Sequence, residues 1–312
     1  MKTHPMSTDN TTVTTPTPAP APRRWRDHLL QQEDLNFLLT NRIPRITLTR
    51  LMGWFSQIRS PWLTRVSIAL WRQFADLDLS EAKQQHFNSL QECFTRELKP
   101  GARVIDPRPG VLSSPCDAIV GECGAVQGQR VFQAKGFPYT VADLFGDEAL
   151  AAPFRDGQYV TLRLTSSMYH RFHAPQALTV DRVNYLGGDT WNVNPIALKR
   201  VERLYCKNER ALILARLAGS GTPIALVPVA AVLVASIRLH FLDVLLHVRW
   251  PGPNHMRCEA HFEKGQEMGW FQHGSTIIVF TPPGCVLAEG IAPGQAIRMG
   301  QALMHTTPPM AQ

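Results

Sequence analysis

KGQEMGWFQHGSTIIVF, residues 264–280, runs through a Gly-Ser-Thr step into Ile277-Ile278-Val279-Phe280. A short run of apolar, mostly β-branched residues behind a turn signal reads as a buried strand, here Thr276 to Phe280. Outward from it the same texture recurs in Gly110 to Val126, Tyr159 to Thr165, Leu178 to Tyr185, Ala211 to Leu217 and Ile224 to Ile237, mostly bounded by Gly or Pro. Helical patterns are few in this half, the best being Thr140 to Leu144 and Pro195 to Val201. The expected fold class is α+β, with a β-rich body over residues 101–312 and helices at its N-terminal end.

Upstream the texture changes twice. Residues 1 to about 22 are rich in Thr and Pro with almost no large apolar side chains. Such a segment cannot offset its ordering entropy, so a disordered tail is expected, extending to about residue 33. Residues 34–100 form the helical region. Between Arg42 and Phe74 stand Arg42, Arg45, Arg50, Arg59, Arg65 and Arg72, no Asp or Glu, and Trp54, Phe55, Trp62, Trp71 and Phe74. Pro44 and Pro61 each suit a first helical turn, which predicts amphipathic helices at about 45–57 and 61–75. Arginines opposite Trp and Leu fit a helix lying in a bilayer interface. A helical hairpin packed on the core and a nucleic-acid surface are the other readings. Asp78-Leu79-Ser80-Glu81 reads as a helix start, and residues 87–94 as another short helical piece.

Composition sets outer limits. The chain has 312 residues, a formal charge of +7 and a charged fraction of 18%. That length can bury a real core, and a basic, charge-poor chain suggests an anionic partner. The longest apolar run, Ile224 to Ile237, is 14 residues long and broken by Pro228 and Ser236. It falls short of the roughly 18 needed for a spanning helix. The N-terminus has no apolar stretch before a small-residue cleavage site, so no secretory signal is expected and the chain is expected to stay on the cytoplasmic side. Cys93, Cys116, Cys123, Cys206, Cys258 and Cys285 have no C-x-x-C spacing, so they read as reduced packing thiols. No metal-ligand cluster is apparent.

Three clusters could carry chemistry. Ser113-Ser114-Pro115-Cys116-Asp117-Ala118 puts an acid at the entry to an apolar strand, where it could equally cap a turn. Tyr169-His170-Arg171-Phe172-His173-Ala174-Pro175 has two histidines three apart, a spacing expected to put both on one side of a helical turn as ligands or acid and base. Structural histidines are the alternative. In the third cluster, Gly274 before Ser275 leaves a carbonyl carbon open to attack by the Ser275 hydroxyl, though a plain tight turn has the same composition.

Together with SPCDAIVGECG, FQAKGFPYTVADLFG (132–146) and CKNER (206–210), these phrases resemble the bacterial-type, pyruvoyl-dependent phosphatidylserine decarboxylase family. The resemblance runs from about Leu38 to Met304 and includes a membrane-docking region at PRITLTRLMGWFSQIRSPWLTR. It implies self-cleavage after Gly274 into a β chain, 1–274, and an α chain, 275–312, with Ser275 converted to a covalent pyruvoyl group. It makes Asp117, His173 and Ser275 a self-processing triad, and His170 the proton donor in decarboxylation. The pyruvoyl cofactor is then the electrophile for the substrate amine, and no metal is required. Residue 273, commonly Leu in the bacterial family, is His here, which is expected to alter local packing rather than activity. The implied partners are phosphatidylserine and an anionic membrane surface, with no nucleic acid. The implied location is the cytoplasmic face of the cell membrane, peripherally bound, and homodimers are typical of the family.

Two rivals stand beside this reading. A membrane-surface Ser-His-Asp lipid hydrolase would want a G-x-S-x-G elbow, which the chain lacks. A processing-dead relative would bind anionic lipid through the Arg-rich helices alone.

Overall fold

The computed structural model describes residues 44–134, 137–232, 236–247, 250–272 and 275–306. Helices α1 (Arg45–Ser56), α2 (Pro61–Phe74) and α3 (Leu90–Phe94) come first. Strands β1 (Val111–Ser113), β2 (Ala118–Ala125), β3 (Arg130–Ala134) and β4 (Phe137–Thr140) lead into α4 (Val141–Phe145) and α5 (Glu148–Ala151). Strands β5 (Gln158–Leu164), β6 (Arg171–His173) and β7 (Leu178–Leu186) precede α6 (Pro195–Leu198) and α7 (Leu204–Lys207). The chain continues with β8 (Arg210–Leu217), β9 (Pro223–Val229), β10 (Ser236–Leu239), β11 (Val244–His247) and β12 (His255–Phe262). It closes with β13 (Glu267–Phe271), β14 (Ser275–Thr281), β15 (Cys285–Leu287), β16 (Ala296–Ile297) and β17 (Ala302–Thr306).

The main sheet has eight strands in the order β12-β7-β8-β9-β14-β5-β2-β16, and its neighbours are antiparallel. A four-stranded sheet, β11-β10-β13-β6, packs on one face. Strand β14 lies between β9 and β5, which explains its unalternating apolar run. Ile277 and Val279 enter the core shared with Phe172, Ile237 and Phe271. Ile278 and Phe280 enter the opposite core, with Val131, Phe145, Leu204 and Tyr205. All four are at most 1% exposed, and each such burial stabilises the fold by roughly 1.5–3 kcal/mol.

Helices α1 and α2 form close to their expected spans. Ser60 caps α2 by accepting from the Leu63 N–H at 3.4 Å, and Pro61 fills its first position. Their burial is reversed relative to an ordinary core helix. The buried residues are Thr49, Ser56 and Thr64, while Leu51, Trp54, Trp62, Val66, Leu70 and Phe74 are exposed. Arg45 anchors α1 by a two-point pair with Asp189, at 2.6 and 3.2 Å, and stacks on Trp191. Thr64 Oγ1 donates to the Asn88 carbonyl at 3.0 Å and anchors α2.

Two local expectations are corrected. Residues 78–81 form a turn rather than a helix start, because the Asp78 carboxylate accepts from the Ser80 N–H at 2.8 Å and its hydroxyl at 2.9 Å. In residues 87–94 the helix begins only at Leu90, where the Ser89 hydroxyl accepts from the Glu92 N–H at 3.2 Å. The Thr/Pro-rich tail and the expectations at His273 and Gly274 lie outside the described residues.

Candidate active site

Strand β14 begins at Ser275, whose backbone stands opposite Leu164 at the end of β5. Leu164 belongs to the wall of a cavity of about 660 Å³. Residues 192–194 and 231–232 contribute to its walls, and α1 (Met52, Phe55), α2 (Trp71, Phe74) and α3 (Phe94) roof the space beside the start of β14.

His170 immediately precedes β6 and His173 ends it. The expected helical turn is absent: residues 171–173 are extended, and alternate side chains of a strand take opposite faces. His170 and His173 therefore have different surroundings. His170 is fully buried, its ring meeting the edge of Phe94 at 5.7 Å between centroids. Phe94 in turn lies 4.3 Å from Trp71, which gives a continuous aromatic path from α2 to this histidine. The His170 carbonyl accepts from the Phe271 N–H at 2.9 Å, fixing it beside the end of β13.

The His173 ring has two defined partners. Nδ1 lies 2.9 Å from the Gly265 carbonyl and Nε2 lies 3.0 Å from the Tyr169 hydroxyl. A carbonyl can only accept, so Nδ1 carries the proton and Nε2 accepts from Tyr169. Burial lowers the pKa of this imidazole, outweighing the opposing hydrogen bond to Gly265, and keeps it neutral. Such a ring offers a basic Nε2 in a dry setting.

Asp117 sits just before β2, and the His173 N–H donates to the Pro115 carbonyl at 2.8 Å, which joins the two segments. The Asp117 carboxylate is gripped by two nitrogens of Arg103, Nε at 2.8 Å, and accepts from the Met299 N–H at 2.9 Å. Arg103 also pairs with Glu81 at 2.8 Å. Burial opposes the Arg103 charge, but hydrogen bonds to Asp117 and Glu81 prevail and hold its pKa above the ordinary value. Among the described residues no hydrogen bond joins Asp117 to His173; the Gly265 carbonyl orients the ring instead. Tyr169, Gly265 and Arg103 were not singled out from sequence. Tyr169 lies inside the quoted histidine phrase and Gly265 inside residues 264–280, but the contacts that Gly265 and Arg103 make are tertiary and leave no local signal.

A buried serine-led strand, two buried histidines and an apolar cavity have the make-up of an enzyme site. A family model described as phosphatidylserine decarboxylase matches residues 90–305. The chain is 37% identical over 276 residues to a phosphatidylserine decarboxylase proenzyme of Pseudomonas fluorescens (strain Pf-5), covering 84% of this chain and 93% of that one. It is 35% identical over 274 residues to the proenzyme of Pseudomonas entomophila, covering 84% and 94%. It is also 37% identical over 273 residues to that of Anaeromyxobacter sp. (strain K), with the same coverages. These likenesses place the protein among the decarboxylases. The chain belongs to the phosphatidylserine decarboxylase family.

Proposed function

We propose that this chain cuts itself between Gly274 and Ser275 and then decarboxylates phosphatidylserine to phosphatidylethanolamine at an anionic membrane surface. The observation that carries this reading is the start of β14: Ser275 stands opposite Leu164, in the wall of an apolar cavity roofed by helices with exposed apolar faces.

In the first stage His173 acts as the base. Its Nε2 lone pair, now engaged by Tyr169, takes the Ser275 hydroxyl proton, while Gly265 holds the proton on Nδ1. The Ser275 oxygen adds to the Gly274 carbonyl carbon, and an ester replaces the peptide bond. Loss of the residue 275 α-proton expels the Gly274 carboxylate and leaves dehydroalanine, whose hydrolysis releases ammonia. Asp117 contributes negative charge near His173, and Arg103 keeps that carboxylate in place. The products are a 274-residue chain and a 38-residue chain (312 − 274) with no free α-amine.

A pyruvoyl group made this way needs no binding loop and no metal, only open space at a strand start, which the Leu164 wall borders. Its carbonyl supplies the electron sink for decarboxylating a substrate amine. His170, buried beside Phe94 and the end of β13, delivers a proton to the substrate carbon that has lost CO₂.

The exposed apolar face of α1 and α2, flanked by exposed Arg50, Arg59, Arg65 and Arg72, supports a peripheral location at the cytoplasmic face of the cell membrane. An ordinary core-packed hairpin would bury Trp54 and Trp62 rather than Thr49 and Thr64. CO₂ release from phosphatidylserine vesicles tests the reading: the wild-type chain should turn over, and Ser275→Ala should be inert. Turnover by Ser275→Ala, or none by the wild type, would reject it.

A further inference from the structure

The guanidinium groups around the site are nearly all committed. Arg171 is held by Glu267 at 2.9 and 3.0 Å and by the Thr95 carbonyl, and Arg103 by Asp117 and Glu81. Arg96 donates to the Cys93 and Ser167 carbonyls. Arg163 differs: half-buried on β5, it makes no hydrogen bond or ion pair among the described residues. It is also the one charged side chain in the described lining of the 660 Å³ cavity, which includes no acid.

We propose that Arg163 is the anchor for the phosphodiester of the lipid substrate. The register sets its reach. Arg163 pairs with Thr276 and its neighbour Leu164 with Ser275, so its backbone stands one residue from the reacting position; its side chain leaves the opposite face of the sheet, and the cavity, lined by both Arg163 and Leu164, reaches round the strand ends to it. In phosphatidylserine the phosphorus is four bonds from the serine nitrogen, roughly 5 Å when extended, which a guanidinium rooted one residue away can span. An apolar wall strengthens such a pair by excluding water.

The headgroup carries two anions, and the chemistry selects between them. A cation paired with the departing carboxylate would stabilise the ground state and oppose loss of CO₂. The phosphodiester keeps its charge throughout the reaction. A pair with it binds ground and transition states alike, so its loss falls on KM and leaves kcat. Arg163 is therefore a specificity-determining residue. It admits amine-bearing phosphodiesters and disfavours uncharged serine esters.

This inference rests on the proposed decarboxylation, and the test separates the two. Dihexanoyl phosphatidylserine, dihexanoylglycerol and inorganic phosphate are titrated into the full-length Ser275→Ala chain, with and without Arg163→Met, following tryptophan fluorescence. Arg163→Met should weaken phosphatidylserine binding about tenfold or more, leave dihexanoylglycerol unchanged, and abolish any displacement by phosphate. In the cleavable chain the same substitution should raise KM about tenfold with kcat within about threefold, and Arg163→Lys should recover part of the loss. Should Arg163→Met fail to fold, Arg163→Gln carries the same comparison, since it removes only the charge. Equal loss for phosphatidylserine and dihexanoylglycerol, or no loss, overturns the assignment. A wild-type chain that neither cleaves nor releases CO₂ refutes the functional reading instead.

Discussion

Glu209, in the phrase CKNER, is fully buried, and neither carboxyl oxygen has a hydrogen-bond partner among the described residues. The hydroxyl of Tyr185 lies close enough to lower its pKa but donates to the His247 carbonyl at 2.8 Å. Arg210, next in sequence, donates its guanidinium elsewhere, to the Leu144 and Cys206 carbonyls. Burial pushes the carboxyl from its ordinary 4.5 up to about 8, against a smaller lowering by Tyr185. Between those two pH values the folded chain holds a proton that the unfolded chain has released, so folding stability falls as pH rises through the window. At about 1.4 kcal/mol per pH unit the loss is about 5 kcal/mol, complete near pH 8. Glu209→Gln removes the titration. Urea unfolding should be measured on the uncleavable Ser275→Ala chain, with and without Glu209→Gln, from pH 5 to pH 8.5. The two should differ little at pH 5, and the Gln variant should gain steadily on its parent up to about pH 8. Parallel stability profiles would refute the buried neutral carboxyl.

Other outcomes follow from the same geometry. Arg103→Leu strands the Asp117 carboxylate, so it should cost about 3 kcal/mol of unfolding free energy and slow self-cleavage; unchanged stability would mean the pair is dispensable. His173→Ala should block cleavage on a denaturing gel, whereas His170→Ala should still cleave but lose turnover; complete cleavage in His173→Ala contradicts its role as base. Replacing exposed Trp54 and Trp62 by Ser should together weaken binding to anionic vesicles about a hundredfold, at roughly 1.5 kcal/mol per ring, with little change in unfolding. Vesicle binding equal to the wild type would argue against membrane docking.

The strand positions were legible because β14 and its neighbours are short, apolar and punctuated by Gly or Pro, and both N-terminal helices were marked by Pro44 and Pro61. Their reversed burial was not legible, since one amphipathic pattern serves core packing and membrane contact alike. The His170 and His173 spacing suited a helix as well as a strand, and only the pairing of β6 with β13 decided it. Asp117 and both histidines could be named from their phrases. The Arg103–Asp117 and Gly265–His173 contacts were not legible, because they join segments distant in the sequence.

Intact-mass analysis of the purified chain under denaturing conditions tests self-processing most directly. The account predicts two species, residues 1–274 and residues 275–312, the smaller lighter by one ammonia than a fragment beginning with serine and gaining two hydrogens on borohydride reduction. A single uncut chain indistinguishable from Ser275→Ala, or a small fragment with a free serine amine, would contradict it.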